Sequence, residues 1–531
     1  MPHGESPLTD PATLSFGRGR WLWIAVVSVM LLAGWVRWRH AGAPLERDEG
    51  EYAYAGALLL DGVPPYREFY NMKLPGIYVA YAAVLGVFGR SVEGIHLGLW
   101  FVNVAACLLV GLIARRFFGD LGGVVALAWF ALLSLTRSVQ GVFANAEHFL
   151  LLPALAGLWF VHPRRERVQP LLAGLCLGAA FVVKQHGLFF ILVGALWLVL
   201  GERERRAAWP KPAAALRFAG GVAAPYLAVC AWMWAAGVFD TFWLWTFEYA
   251  RAYTQQVDGA QALEALRART SALWRDAPGL WLTSLAGLVA LAWHRPRAAA
   301  LALGLLVVAG VAAVSTGFFF RPHYFVLLLP AVSLCAAATF TALRRWPLAA
   351  LAAPALVLLT TWQNRADWLE RTPVELTRAT FGYNPFPESV PLAAYLAEQS
   401  GPDDRIAVFG SEPQLCFYAD RRAASGFAYV YALMEEHPYA GAMQKQMAAE
   451  IEASDPALAV FVNVPTSWLA RPTSNHWIFG WITRFLAGYE RIAYLDLSQP
   501  GAPLRTEGAL PPADEALPQK PFTISVYRRR S

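Results

Sequence analysis

The motif LERDEGEY (45–52) places Asp48, Glu49 and Glu51 within four residues, directly after an apolar run. A carboxylate held at a membrane surface can take a proton from a hydroxyl or amine nucleophile. The competing reading is local: Asp48 can cap a helix, and the glutamates suit the positive end of its dipole. A second segment, YREFYNMKLPG (66–76), sets Lys73 among aromatic and apolar residues. Such a lysine either snorkels to the interface or holds a lipid phosphate as a point charge. A phosphate leaving group needs positive charge more than it needs a proton. In SVQGVFANAEHFLLLP (138–153), Glu147 and His148 open an apolar run. A carboxylate at that depth is costly unless paired or used, and capping by Asn145 accounts for part of it. Glu147 and His148 are also candidate metal ligands, although two residues do not make a site. Lys184, Gln185 and His186 lie between two apolar runs, and Arg321, His323 and Tyr324 start another. Taken singly, each reads as an interfacial anchor.

These residues need a scaffold that gathers them. The chain has 531 residues, of which 57% are hydrophobic and only 15% charged. Soluble domains carry roughly 25% charged residues. The apolar residues cluster into eleven runs near the length of a membrane span, about 20 residues: 21–38, 94–114, 121–136, 145–162, 168–183, 187–201, 213–236, 278–294, 298–316, 323–343 and 346–362. The sequence thus reads as a polytopic α-helical membrane protein with about eleven transmembrane helices. The first run, after Arg18 and Arg20, ends in WVRWRH and not in a small-residue cleavage site, so it reads as a retained span. With 1–20 as a cytoplasmic tail, the inner loops hold Arg115, Arg116, Arg164, Arg165, Arg167, Arg203, Arg205, Arg206, Lys211, Arg217, Arg295, Arg297, Arg344 and Arg345. The short outer loops hold only Arg137, Lys184 and Arg321. The positive-inside rule then puts the N-terminus in the cytoplasm. The net charge of +6 reflects this topology and not nucleic-acid binding. Five cysteines without metal-type spacing, one of them in the hydrophilic C-terminal part, give no disulfide there.

On this topology 21–364 is the membrane domain, with long outer loops 39–93 and 237–277. The first loop predicts two surface-lying helices, one over EYAYAGALLLDG and one over 77–89. Residues 365–531 predict a small extracytoplasmic α/β domain, with strands at 405–410, 457–464, 491–497 and 522–528 and helices at 389–399, 440–453 and 475–488. The Pro-rich 499–521 segment reads as an excursion before the last strand. Asp48, Lys73, Glu147, Lys184, Arg321 and His323 all fall on one face, while span interiors carry almost no ionisable group. That pattern suits chemistry at an interface better than conduction through the bilayer.

The stretches RDEGEYAYAGALLLDGVPPYREFYNMKLPGIY (47–78), ANAEHFLLLP (144–153), FVVKQHG (181–187), RPHYFVLLLPA (321–331) and DDRIAVFGSEPQLCFYADRR (403–422) carry a family resemblance. The chain resembles bacterial members of the dolichyl-phosphate-mannose protein mannosyltransferase family, glycosyltransferase family 39. The relatives of that family include lipid A aminoarabinose transferases and the membrane transferases of lipopolysaccharide core. The resemblance implies a C-type membrane glycosyltransferase fold, a polyprenyl-phosphate sugar donor and inversion at the anomeric carbon. It implies Asp48 as base, with Glu49 beside it in the motif, Glu147 as the acid of the second outer loop, and Lys73 on the lipid phosphate. Arg321, His323, Tyr324 and Lys184 are expected to help hold that phosphate. The implied acceptor is an envelope glycan, lipid or protein at the bacterial inner membrane. Some relatives use a divalent metal ion. Here MKLP (72–75) replaces the family's HKPP, so the histidine that would support a metal role is missing. The rival reading is a transporter or flippase of lipid-linked sugars, which predicts internal repeats and a polar path through the bilayer; neither is visible.

Overall fold

The computed structural model describes residues 16–204, 211–293, 297–498, 501, 503–506, 510, 517 and 520–530. Residues 1–15, Arg205, Arg206, Arg295 and most of the Pro-rich 499–521 stretch lie outside the described residues.

The membrane part begins with α1 (Phe16–Arg39), α2 (Arg47–Leu60), α3 (Gly76–Phe88), α4 (Val92–Leu133), α5 (Ala146–Phe160), α6 (Pro170–Val183), α7 (Gly187–Glu204) and α8 (Pro212–Ala235). Among the described residues, five helical stretches are long and apolar enough to cross a membrane: Arg20–Arg39, Val92–Leu133, Pro212–Ala235, Arg297–Val314 and Pro322–Ala342. Shorter apolar helices complete the set, so each of the eleven expected spans meets an apolar helix or one leg of one. α4 is two spans in one. At ~1.5 Å per residue its 42 residues would reach about 60 Å, twice a hydrocarbon core of ~30 Å. Gly119 breaks it at φ 74°, a left-handed conformation that glycine adopts without steric cost. The legs fold back on each other, and a Cβ on Gly111 would lie 3.2 Å from the Gly123 carbonyl oxygen. The outward surface is apolar. Trp234 is 79% exposed and Leu348 is 75% exposed, a liability in water and the ordinary state against lipid.

Two helices stand where the 39–93 segment was expected to form surface-lying ones, but α2 is largely buried between α3 and the sheet domain, because its small residues Gly50 and Gly56 let neighbours close on it. Segment 237–277, expected as a long outer loop, also folds: a short helix, a π-helical turn over Leu244–Tyr249 and a helix over Gly259–Asp276.

The C-terminal part is a six-stranded mixed sheet with helices around it. The strands are β1 (Arg405–Phe409), β2 (Arg422–Ala423), β3 (Leu458–Asn463), β4 (Tyr489–Asp496), β5 (Arg505–Thr506) and β6 (Thr523–Arg529), in the order β2-β1-β3-β6-β4-β5. β1 runs parallel to β2 and β3, and β6 lies antiparallel between β3 and β4. The four long strands are those expected from the sequence. β2 and β5 were not expected, because two residues carry no legible alternation. β3 is buried along nearly its whole length, so it reads as a continuous apolar run.

The sheet domain and the membrane part share an interface along α2. Gly50 lets α2 approach the 414–419 helix closely: a Cβ there would lie 2.7 Å from that of Gln414. One turn earlier, Arg47 fixes the register. Its guanidinium donates to the Ser411 carbonyl at 2.5 Å, the Tyr431 hydroxyl at 2.9 Å and the Glu412 carboxylate at 2.6 Å. Arg47 and Glu412 are both buried.

Candidate active site

The first turn of α2 sorts its acids by direction. Glu46 is the N-cap, and Glu46 and Glu49 form a reciprocal capping box. The Glu49 carboxylate also accepts from His96 Nε2 at 3.0 Å and from the Ala144 amide. Glu49 is fully buried and does not line the cavity, which corrects its expected place among the catalytic groups. The expectation that Asp48 caps the helix is corrected too. With Glu46 in that role, Asp48 is free to face outward from the second helical position.

Asp48 faces a cavity of about 370 Å³ between the membrane part and the sheet domain. Its Oδ2 lies 3.7 Å from Lys73 Nζ and 3.9 Å from His323 Nε2, and its Oδ1 accepts from the Tyr429 hydroxyl at 3.3 Å. Burial alone would raise the Asp48 carboxyl, but Lys73, His323 and Lys184 hold it below the ordinary carboxylate range. Burial alone would likewise lower Lys73, and Asp48 and Glu51 instead hold it above its ordinary value. Glu51 is completely buried, accepts from the Tyr78 hydroxyl at 3.0 Å, and is pushed up to about 8 by burial. His323 Nδ1 donates to Gln140 Oε1 at 3.0 Å, which turns Nε2 toward Asp48.

Arg321 and Tyr324 also line this cavity. Glu147 and Lys184 do not. They form a direct ion pair behind its wall, with side chains only 1% and 5% exposed. Lys184 Nζ lies 4.4 Å from the Tyr324 ring centre, on the cavity's lining layer. Asn145 stands at the N-cap of α5 but makes no side-chain capping bond, so the expected capping account of Glu147 fails; Lys184 explains that carboxylate. His148 is buried, and its Nε2 has no hydrogen-bond partner. Among the described residues no group of three or more His, Cys, Asp or Glu side chains is placed to hold a metal ion. Glu147 is committed to Lys184, so Glu147 and His148 do not fit the expected pair of ligands.

Other cavity groups were not expected from the sequence. Arg269, on the Gly259–Asp276 helix, lines the cavity with a buried Nε that has no hydrogen-bond partner. Burial and the neighbouring Arg321 charge lower its pKa. Its signal was available, because Arg269 interrupts the inward stripe of that helix between buried Ala262 and Leu273. Tyr429, Tyr431 and Glu435 come from the sheet domain, and Glu435 accepts from the Tyr249 hydroxyl at 2.5 Å. With Tyr70, Trp245 and Tyr253 they make one wall largely aromatic. Nothing local marked them.

No family model matches the chain, and no curated protein matches it significantly. Solved structures do. The apo crystal structure of ArnT from Cupriavidus metallidurans is similar at TM-score 0.57 and 16% identity, over 96% of this chain and 98% of that one. ArnT from the same organism bound to undecaprenyl phosphate gives TM-score 0.55 and 17% identity, over 86% and 95%. This chain has the C-type membrane glycosyltransferase fold. The archaeal oligosaccharyltransferase AglB from Archaeoglobus fulgidus, in complex with an inhibitory peptide and a dolichol-phosphate, is similar at TM-score 0.50 and 12% identity, over 94% of this chain and 75% of that one. The C-type fold is the one the sequence resemblance implied.

Proposed function

We propose that this chain is an inverting glycosyltransferase that moves a sugar from a polyprenyl-phosphate donor to a cell-envelope acceptor on the outer face of the inner membrane. The observation that carries the reading is Asp48, held as a carboxylate 3.7 Å from Lys73 in a cavity that also holds Arg321 and Arg269. An ionised carboxylate beside several cations is the arrangement that this displacement requires. The acceptor's hydroxyl or amine attacks the anomeric carbon while Asp48 takes its proton. The bond from that carbon to the phosphate oxygen breaks, and the polyprenyl phosphate leaves with the electron pair. Lys73, Arg269 and Arg321 stabilise the charge that gathers there. The aromatic wall of Tyr70, Trp245, Tyr253 and Tyr429 suits the apolar faces of sugar rings. Among the described residues no donor set fits a divalent metal, so no step runs through one. The similarity to ArnT bound to undecaprenyl phosphate supports a polyprenyl-phosphate donor.

The test is release of polyprenyl phosphate by purified protein from a panel of polyprenyl-phosphate sugars, with envelope extract as acceptor and Asp48→Asn beside it. Release by the wild type and not by the variant supports the reading. No release from any donor, with lipid-linked sugar crossing proteoliposome membranes instead, would make the chain a flippase.

A further inference from the structure

A second cavity, of about 500 Å³, lies at the other end of α2, between the α3–α4 turn and the sheet domain. At ~1.5 Å per residue, Asp61 at this end is about 20 Å along the helix from Asp48. The wall is strongly polar. It carries Arg90 and Asp61 from the membrane part and Arg422, Asp403 and Asp420 from the sheet domain.

The bonding of these groups decides what could enter. Arg421, also in the wall, spends its guanidinium on carbonyls of Ala397, Ser400, Ala419 and Asp420, and Arg405 is held by Glu68 at 2.8 Å. Arg90 and Arg422 are freer. Arg90 meets Asp61 at 2.5 Å and Arg422 meets Glu68 at 3.4 Å, and these two arginine side chains are 40% and 44% exposed. A guanidinium has five N–H donors, so both keep donors for a ligand. On the acidic side, Asp403 and Asp420 make no ion pair among the described residues. Against the four arginines of the wall stand Asp61, Asp403, Asp420 and the adjoining Glu68, so the site has no positive excess. A simple anion gains little there. A ligand with both signs of charge satisfies both halves.

The rim shows where such a ligand comes from. Leu60, beside Asp61, is 42% exposed, and Val87, close before Arg90, is 74% exposed. Phe101 on α4 is 59% exposed and stacks on Phe88, with a centroid distance of 5.4 Å. Apolar side chains open to the surroundings beside a charged cavity mark the polar boundary of a bilayer.

We infer that this cavity holds the headgroup of a membrane phospholipid that carries a phosphodiester and a primary ammonium. The phosphodiester oxygens accept from Arg90 and Arg422, the ammonium donates to Asp403 and Asp420, and the acyl chains run down past Val87 and Phe101. Because Arg90 belongs to the membrane part and Arg422 to the sheet domain, the lipid ties the two together.

The experiment is native mass spectrometry of the full-length protein titrated separately with phosphatidylethanolamine, phosphatidylcholine, phosphatidylglycerol and water-soluble phosphoethanolamine. Phosphatidylethanolamine is expected to bind about tenfold more tightly than the other two lipids, the worth of a charge-assisted contact. Arg90→Ala/Arg422→Ala should remove that binding, and Asp403→Asn/Asp420→Asn should erase the preference over phosphatidylcholine, whose quaternary amine has no N–H, while leaving the protein folded. Equal binding of all three lipids, or tighter binding of phosphatidylglycerol, would overturn the assignment. Soluble phosphoethanolamine binding as tightly as the lipid would replace the bilayer source with a free headgroup.

Discussion

Two carboxylate–lysine pairs sit within one site, and they are built differently. Asp48 and Lys73 stand 3.7 Å apart on the cavity surface, each side chain a little over a tenth exposed. Glu147 and Lys184 touch behind the wall and are almost sealed. A tight pair in low dielectric satisfies itself, and separating it leaves an uncompensated buried charge. A loose pair facing a cavity can exchange partners: the lysine can turn to a phosphate and the carboxylate to a proton. The contrast assigns chemistry to the first pair and electrostatic support to the second.

The strongest challenge to this division is Asp48→Asn. Turnover should fall by about 10²–10⁴, the usual contribution of a positioned base, with donor binding retained. Near-normal turnover in a polyprenyl-phosphate release assay would take the chemistry away from the loose pair. Glu147→Ala should act on the fold, costing about 3–5 kcal/mol by stranding Lys184, and Glu147→Ala/Lys184→Met should recover much of it. Thermal unfolding in detergent reads this directly. Unchanged unfolding with lost turnover would make the tight pair catalytic. Arg269→Ala should raise the donor KM about tenfold with a smaller effect on kcat, as expected for a group that binds phosphate in the ground state as well. Steady-state kinetics over donor concentration separate the two. Tyr429→Phe should have the smallest effect, lowering turnover a few-fold while moving the acid limb of the kcat/KM profile upward. The sign follows from the bond: Tyr429 donates to ionised Asp48, and losing a donor to the charged form raises the carboxyl pKa. An acid limb that stays put or moves down would remove Tyr429 from Asp48.

How far the sequence carries depends on how local each signal is. The spans were legible because apolar length and basic loops are properties of short windows, and Gly119 falls in the gap between the expected runs 94–114 and 121–136. Asp48, Lys73, Arg321, His323 and Tyr324 were legible because polar residues at the ends of apolar runs stand out, and the structure brings all five to one cavity. Glu49 was misplaced because the reciprocal partner at Glu46 went unread, although both lie in the same motif. Tyr429 was out of reach, since it lies 381 positions from the carboxylate it touches and tyrosines are common in this chain. Tertiary contacts of that separation leave no periodic trace.

Arg47, Asp48 and Glu49 point in three directions, into the sheet domain, the cavity and the membrane part, because successive residues on a helix are turned by about 100°. Three neighbouring positions are therefore tied to three separate requirements, and none can drift without breaking a contact the other two do not share. The aromatic cover is tied more lightly: Tyr429 and Tyr431 each meet this hub through a single hydroxyl, and Trp245 packs on the Tyr70 and Phe427 rings. A descendant of this chain that took up a new sugar would do so by changing that cover, with the three-residue hub carried forward intact.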